Sequence, residues 1–317
     1  MTRRSEPSLS GIVVNWHDEA RLHELVEAWP KRADLELLIV DNGSTAELPA
    51  GAVILSQGRN LGFGGGANLG LQAAQAPLVL VMNPDVCPRP GAIEALLSGF
   101  ERWPDAAALA PRLIGVDGSS QYQWQLRSLP SVERLLLQAM LLPATGESAF
   151  EPDSGDVVQQ PAAAALCLRR RVLRRLGGFD ESFYPAWFED VDLAKRLADD
   201  GDKIRYCPEA VFTHHLGSSI PQLGYSRFLQ AYYSNLCRYL EKHHGRSSSR
   251  MARFLLVPAA WLRLALLPIR RPRRARSRYE AAQALWKLGW KALFEWQTGA
   301  SAPPVNGGRS PGGAREK

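Results

Sequence analysis

The segment Leu35-Glu-Leu-Leu-Ile-Val-Asp-Asn-Gly-Ser44 decides the fold. Its apolar run is too short for a helix, and it stops at a polar turn, which reads as a buried strand. Working outward, Ile12-Val-Val-Asn15 is a strand of the same kind, and the helical spacing of Leu22, Leu25, Val26 and Trp29 lies between the two. Ala52 to Leu55 predicts a third strand and Leu78 to Met82 a fourth, with a glycine-rich loop and a helix between them. Short apolar strands alternating with helices specify an α/β fold with a mostly parallel sheet and helices on both faces. Ligands of such sheets sit at the carboxyl ends of the strands. That rule singles out Asn15, Asp41, Asn83 and Asp85.

The chain has 317 residues, enough for about two structural units. With 45% hydrophobic residues it can bury a core. The net charge of +6 is unevenly spread, because eleven Lys/Arg and no acid lie between Lys242 and Arg278. The remainder holds 27 basic and 32 acidic residues, a net of −5. A mildly acidic body excludes a nucleic-acid binder with a basic reading face. The cysteines Cys87, Cys167, Cys207 and Cys237 form no C-x-x-C pair, so neither a zinc site nor a disulfide framework is expected.

After the fourth strand, Asp117-Gly118 marks a turn, followed by a short helix and a polar loop from Pro143 to Asp156. Pro161 to Leu168 reads as one small-residue strand running into a basic turn. A helix is expected to begin near Glu189-Asp190, and helices over about 222–243, 248–267 and 278–296 follow. The tail, rich in Gly, Pro and Ser, has the composition of a disordered segment.

Four patterns bear on chemistry. Gly62-Phe-Gly-Gly-Gly-Ala67 matches G-x-G-x-x-A, but it does not follow the first strand as a dinucleotide fingerprint must, so the Rossmann reading is weak. Asp85, in Asn83-Pro-Asp85, suits either a divalent cation carrying a diphosphate or a simple turn cap. Glu189-Asp-Val-Asp192 packs three repelling carboxylates at a helix start, which fits either the helix dipole or a tuned general base. His214-His215, after a strand-like Val211 to Thr213, offers a metal ligand or a hydrogen-bonded pair.

Taken in order, Asp41-Asn-Gly-Ser44, Asn60 to Asn68, Asn83-Pro-Asp85, Gly178-Phe-Asp-Glu181 through Leu193 and His214 to Ser219 resemble the family 2 inverting nucleotide-sugar glycosyltransferases of GT-A fold. Within that family they resemble the bacterial rhamnosyltransferase branch. The resemblance implies that Asp41 contacts the nucleoside, that Asn83 and Asp85 stand where the metal-binding D-x-D lies, and that Asp190, beside Glu189, is the base. It implies His214 or His215 as a further ligand of Mg²⁺ or Mn²⁺. Asn15, Asn42, Arg59, Asn60, Gly64 and Asn68 are expected donor contacts. The implied donor is a nucleotide-diphosphate sugar, with dTDP-rhamnose preferred. The implied acceptor is a glycan or a polyprenyl-diphosphate-linked acceptor of cell-surface polysaccharide synthesis. The alternative is a catalytically silent sugar-nucleotide-binding or scaffold protein.

The expected organisation is an arm over 1–8 and a GT-A catalytic domain over 9–220, with a nucleotide-sugar half to about 115. A C-terminal helical appendage over 221–298 and a tail over 299–317 complete it. Met251, Phe254, Leu255, Trp261, Leu262 and Leu266 would give that appendage an apolar surface beside the basic run. Either it packs on the body or it lies on an anionic membrane surface. The apolar stretch from Phe254 to Ile269 contains Pro258 and Arg263, and it is too short to be expected to span a membrane. The expected location is cytoplasmic, at the inner face of the bacterial plasma membrane.

Overall fold

The computed structural model describes residues 7–44, 47–142, 151–215, 223–269, 272 and 274–294. Its strands are β1 (Leu9–Asn15), β2 (Leu35–Asp41), β3 (Val53–Ser56), β4 (Leu78–Met82), β5 (Val86–Pro88) and β6 (Ala106–Ile114). They continue as β7 (Leu126–Arg127), β8 (Val157–Val158), β9 (Gln160–Pro161), β10 (Ala165–Arg169) and β11 (Lys203–His214). The helices are α1 (Glu19–Ala28), α2 (Gly62–Ala73), α3 (Ala92–Arg102), α4 (Tyr122–Gln125), α5 (Val132–Ala139), α6 (Arg170–Arg175), α7 (Glu189–Asp199), α8 (Tyr225–Ala265) and α9 (Arg278–Phe294).

The main sheet runs β3-β2-β1-β4-β10-β6-β11-β5. Strands β3, β2, β1 and β4 are mutually parallel, as are β6 and β11, whereas β10 and β5 run antiparallel to their neighbours. Every residue of β1 and β4 is buried, as central strands of a covered sheet require. The third strand is an exception: it is the sheet edge, and its Val53 and Ile54 are exposed. Helices α1 and α3 supply Leu25 and Leu96 to the core on one face. Helices α2, α6 and α7 supply Leu71, Leu173 and Leu193 to the core on the other.

Two expectations are corrected. The glycine-rich stretch is not a loop but the first turns of α2, although glycine costs about 1 kcal/mol relative to alanine in a helix. Close packing explains it. A Cβ on Gly66 would lie 2.7 Å from Val14 Cγ1, and one on Gly70 would fall inside the Ile12 side chain. The glycines therefore let the helix backbone rest directly on β1. Secondly, the Pro161–Leu168 run splits. Gln160–Pro161 pairs with β7 in a separate two-stranded sheet, and β10 begins only at Ala165. Between them the Ala162 N–H donates to Gln125 O, and Ala164 O accepts from Asn83 N–H.

A third core joins α5, α8 and α9 to Phe183, Phe188 and Val191 at the start of α7. The helical region thus shares its core with the segment that leads into α7. Gly245 (φ 86°, ψ 164°) breaks α8 into two helices, near the expected gap. Leu256 and Ala260 face inward, while Met251, Phe254, Leu262 and Leu266 remain exposed. Among the described residues no helix is long and apolar enough to cross a membrane. The tail, most of the N-terminal arm, most of the polar loop after Pro143, the motif residues Leu216 to Ser219, and Arg270, Arg271 and Arg273 of the basic run lie outside the described residues.

Gly70→Ala is expected to destabilise the protein by roughly 1–3 kcal/mol in urea unfolding, because overpacking outweighs the gain in helix propensity. The clash is with the Ile12 side chain. Gln72→Ala, on the exposed side of the same helix, is expected to leave the unfolding free energy close to that of the parent.

Candidate active site

One pocket of about 870 Å³ opens at the carboxyl ends of β1, β2, β4 and β11, where a sheet of this kind binds its ligands. It brings together Asn42, Asn60, Asn83, Asp85, Glu189, Asp190 and His214, which lie far apart in the chain.

The proline turn between β4 and β5 carries Asp85, which is 4% exposed. His214, the last residue of β11, places Nε2 3.6 Å from Asp85 Oδ2. Its tautomer follows from its neighbours. Gln121 Nε2 donates to the His214 carbonyl, so Gln121 Oε1 is the atom 3.0 Å from His214 Nδ1. Nδ1 must then carry the proton, and Nε2 turns its lone pair toward Asp85. Burial lowers the His214 pKa, with the Asp85 charge opposing the shift and His215 adding to it. A neutral imidazole nitrogen beside a buried carboxylate oxygen is a donor set that fits a divalent cation. No group of three or more His, Cys, Asp and Glu converges on a metal position among the described residues. His215 turns the other way, with Nε2 3.4 Å from Glu24 Oε2 on α1.

The second constellation sits at the start of α7. Trp187 and Phe188 both have φ of 74°. That backbone conformation costs about 1–3 kcal/mol for a residue with a side chain. Their surroundings hold them there. Buried Asn235 of α8 donates to Ala186 O at 2.9 Å and Trp187 O at 3.1 Å, and the two rings pack on Phe228, Tyr232 and Tyr239. The strained turn delivers Glu189 and Asp190 to the pocket wall. Asp190 Oδ1 accepts from the Val191 N–H at 2.8 Å, and Oδ2 lies 3.4 Å from Ala163 N. Glu189 is buried, and its Oε2 has no hydrogen-bond partner among the described residues. Burial first, and the Asp190 charge second, raise its pKa well above the usual carboxyl value, as desolvation beside a like charge must. Glu189 therefore favours its neutral form. Asp192, the third carboxylate, turns away from the pocket and is fully enclosed by Arg196, Lys242 and His243.

Several expected donor residues have structural positions. Asn42 lines the pocket, but its Nδ2 donates to Gly62 O and its Oδ1 accepts from Leu61 N–H, so it staples β2 to α2. Asn60 lines the pocket and accepts from Gly62 N–H. Asp41 lies outside the lining, and its Oδ1 closes the turn by accepting from Gly43 and Ser44 N–H. Asn15 is buried and donates to Ser44 Oγ. Asn68 and Gly64 are also outside the lining. Asn68 bonds Phe179 and Glu181, and Gly64 packs against Phe179. Arg59 is exposed and outside it as well.

Sequence reading missed Arg127, Arg134, Tyr232, Tyr233 and Arg274 in the pocket lining, together with Trp124, which packs on the His214 ring. No local motif marks the first four. Arg274 belongs to the basic run, whose composition points to lipid rather than to the pocket. The exposed aromatic ladder of α9 was missed too. Trp286 stacks on Trp290 at 5.6 Å, and Trp290 meets Phe294 at 4.6 Å. The signal that marks it is the i, i+4, i+8 spacing.

Comparison with known proteins agrees with this geometry. Residues 10–153 match the family model described as Glycosyl transferase family 2. The chain is 32% identical over 237 residues to an N-acetylglucosaminyl-diphospho-decaprenol L-rhamnosyltransferase of Mycobacterium tuberculosis, covering 67% of this chain and 76% of the relative. A pre-mycofactocin glycosyltransferase of the same organism is 32% identical over 189 residues, 57% of this chain and 37% of that protein. Among solved structures, a mannosyltransferase from Pyrobaculum calidifontis in complex with GDP-Man and Mn²⁺ superposes with a TM-score of 0.52 at 14% identity, covering 92% of this chain and 89% of the other. That likeness shows the GT-A fold.

The burial of Glu189 has a measurable consequence. Below its ordinary pKa of 4.5, Glu189 is protonated in both the folded and the unfolded chain. Above it, only the unfolded chain readily releases the proton, so this residue's contribution to stability falls as pH rises toward the folded pKa, by at most about 1.4 kcal/mol per pH unit. Glu189→Gln is expected to remove that slope and to gain on the parent progressively from acid to neutral pH in urea unfolding. Parallel stability curves would show that Glu189 is not held neutral.

Proposed function

The chain belongs to the family 2 glycosyltransferases of GT-A fold, and from that premise we propose that it is an inverting enzyme acting at a membrane surface. In this reading it moves a hexose from a nucleotide-diphosphate donor to a hydroxyl of a polyprenyl-diphosphate-linked glycan. L-Rhamnose from dTDP-rhamnose is the preferred donor, supported by the relative that covers most of the chain. The observation that carries the proposal is the meeting of the Asp85–His214 pair and the Glu189–Asp190 pair in one pocket.

Asp190 accepts the proton of the acceptor hydroxyl as its oxygen bonds to the anomeric carbon. The bond from that carbon to the diphosphate breaks on the opposite face, and this single displacement inverts the centre. Glu189, held neutral, leaves one negative charge on the pair and keeps a proton that can be donated to a sugar oxygen. The N–H groups of Val191 and Ala163 orient the Asp190 carboxylate. Asp85 and His214 would hold a divalent cation, Mg²⁺ or Mn²⁺, whose charge neutralises the leaving diphosphate. Asn60 and Asn83, which line the same pocket, serve the donor. In this proposal Asn15, Asp41 and Asn42 shape the nucleoside end by fixing the turn after β2.

The side chains Phe254 and Leu262 of α8, Leu266 just after it, and Trp286, Trp290 and Phe294 of α9 are exposed, which supports docking to an anionic membrane. Aromatic side chains suit the headgroup boundary, and neighbouring arginines suit anionic lipid.

Asp190→Asn is expected to lower kcat by about 10²–10⁴-fold while leaving the dissociation constant of the nucleotide sugar unchanged. Robust turnover by that variant would remove Asp190 as the base. A parent protein that binds nucleotide sugars but transfers none would be the silent binding protein instead. The protein is further expected to sediment with anionic vesicles and less with neutral ones, with high salt reducing binding. The double variant Trp290→Ser, Phe294→Ser is expected to bind less at either salt concentration. Sedimentation unaffected by lipid charge and by that variant would exclude this face.

A further inference from the structure

The pocket that holds Asp85, Glu189 and Asp190 is also lined by three arginines, Arg127 of β7, Arg134 of α5 and Arg274 ahead of α9. These arginines come from three separate elements, and the charge of each reaches the Tyr232 hydroxyl, as does that of Asp190. The Tyr232 ring lies against Phe228, with centroids 5.9 Å apart. Arg274 stacks over the Phe228 ring, 4.6 Å from its centroid. Arg127 Nε is buried without a hydrogen-bond partner among the described residues.

Guanidiniums lining one pocket favour an anionic ligand there. Guanidinium forks match phosphate oxygens in geometry and charge, and a diphosphate offers enough oxygens for several arginines. The surrounding surface is apolar: Leu135, Leu142, Leu223, Trp187 and Phe228 line the same pocket. An anion beside a greasy channel suits an amphiphile rather than a free nucleotide.

We propose that Arg127, Arg134 and Arg274 form the subsite for the diphosphate of a polyprenyl-diphosphate acceptor, whose isoprenoid chain leaves over Phe228, Leu135 and Leu142. This rests on the transferase reading and adds to it the part of the pocket that selects the acceptor. The sugar attached to that diphosphate then lies between the arginines and Asp190, which places its hydroxyl at the base. Arg274 precedes α9, whose exposed aromatic ladder is the proposed membrane contact, so lipid entry and headgroup capture share one connector.

The diphosphate recognised could belong to the acceptor or to the donor nucleotide, and binding to the full-length protein separates the two. Calorimetric titration would use geranyl diphosphate, geranyl monophosphate and a panel of nucleoside diphosphates with Mn²⁺. The parent is expected to bind geranyl diphosphate, and to bind the monophosphate more weakly. Arg127→Gln, Arg134→Gln and Arg274→Gln are each expected to weaken geranyl diphosphate by about tenfold or more, while nucleoside diphosphate affinity is unchanged. Retained nucleotide binding also shows that the variants are folded, and Arg274, being exposed, is the variant least able to disturb the core. With a lipid-linked acceptor, the same variants are expected to raise its KM more than they lower kcat. If they weaken the nucleoside diphosphate instead, the arginines serve the donor and the proposal is overturned. If the parent binds nucleoside diphosphate but not geranyl diphosphate, the subsite is wrong and the transferase reading stands. If it binds neither, both fall.

Discussion

The structure depends on how α8 grips the start of α7. Buried Asp192 receives Arg196 Nε at 2.8 Å, Lys242 Nζ at 2.6 Å and His243 Nε2 at 2.7 Å. Burial alone would raise the Asp192 pKa. Hydrogen bonds from His243 and Lys242, with the charge of Arg196, overcome it and hold the pKa below the ordinary value. Removing one partner from such a buried network leaves a charge uncompensated, which is strongly destabilising. The network also reaches outward. Arg196 donates to Leu176 O and Gly178 O, and Lys242 extends to Asp180. The helical region is therefore the clamp that sets the helix bearing Glu189 and Asp190.

That clamp explains how three adjacent carboxylates coexist. Each has a different solution: Asp192 is neutralised by cations, burial favours the protonated form of Glu189, and Asp190 is oriented by backbone N–H groups at the pocket wall. The strained turn at Trp187 and Phe188 persists because Asn235 and the α8 aromatics over-determine it. Strain and charge at the start of α7 are both borne by a helix that begins well downstream in the chain, at Tyr225.

The sheet was legible because β1 and β4 are buried along their length and β2 over most of its length, and strands covered on both faces read as near-continuous apolar runs. The strand-end residues Asn83, Asp85 and His214 were legible because topology forces strand ends to one side. Helix α2 was not, since glycine propensity argues against a helix, and only the closeness of Gly66 and Gly70 to β1 explains it. The alanines after Pro161 could not be parsed either, because alanine suits both a strand and the small-residue floor of a pocket. The arginine wall was illegible for a different reason. Its members lie far apart in the chain and meet only through α5, β7 and the α8–α9 connector, so no local spacing records them.

The basic segment is divided among tasks that composition alone runs together. Its eleven charges read as one electrostatic anchor. In the structure, Lys242 is committed to Asp180 and Asp192, Arg263 to the Leu141 carbonyl and Arg274 to the pocket lining. The charge left for lipid is correspondingly smaller, and the exposed Trp286, Trp290, Leu293 and Phe294 take a larger share of the proposed docking face. Interfacial binding of that kind scales with buried apolar area as well as with charge, so salt weakens it without abolishing it. A segment that pins the base helix, lines the pocket and faces the bilayer in this reading couples seating on the membrane to the geometry of the site.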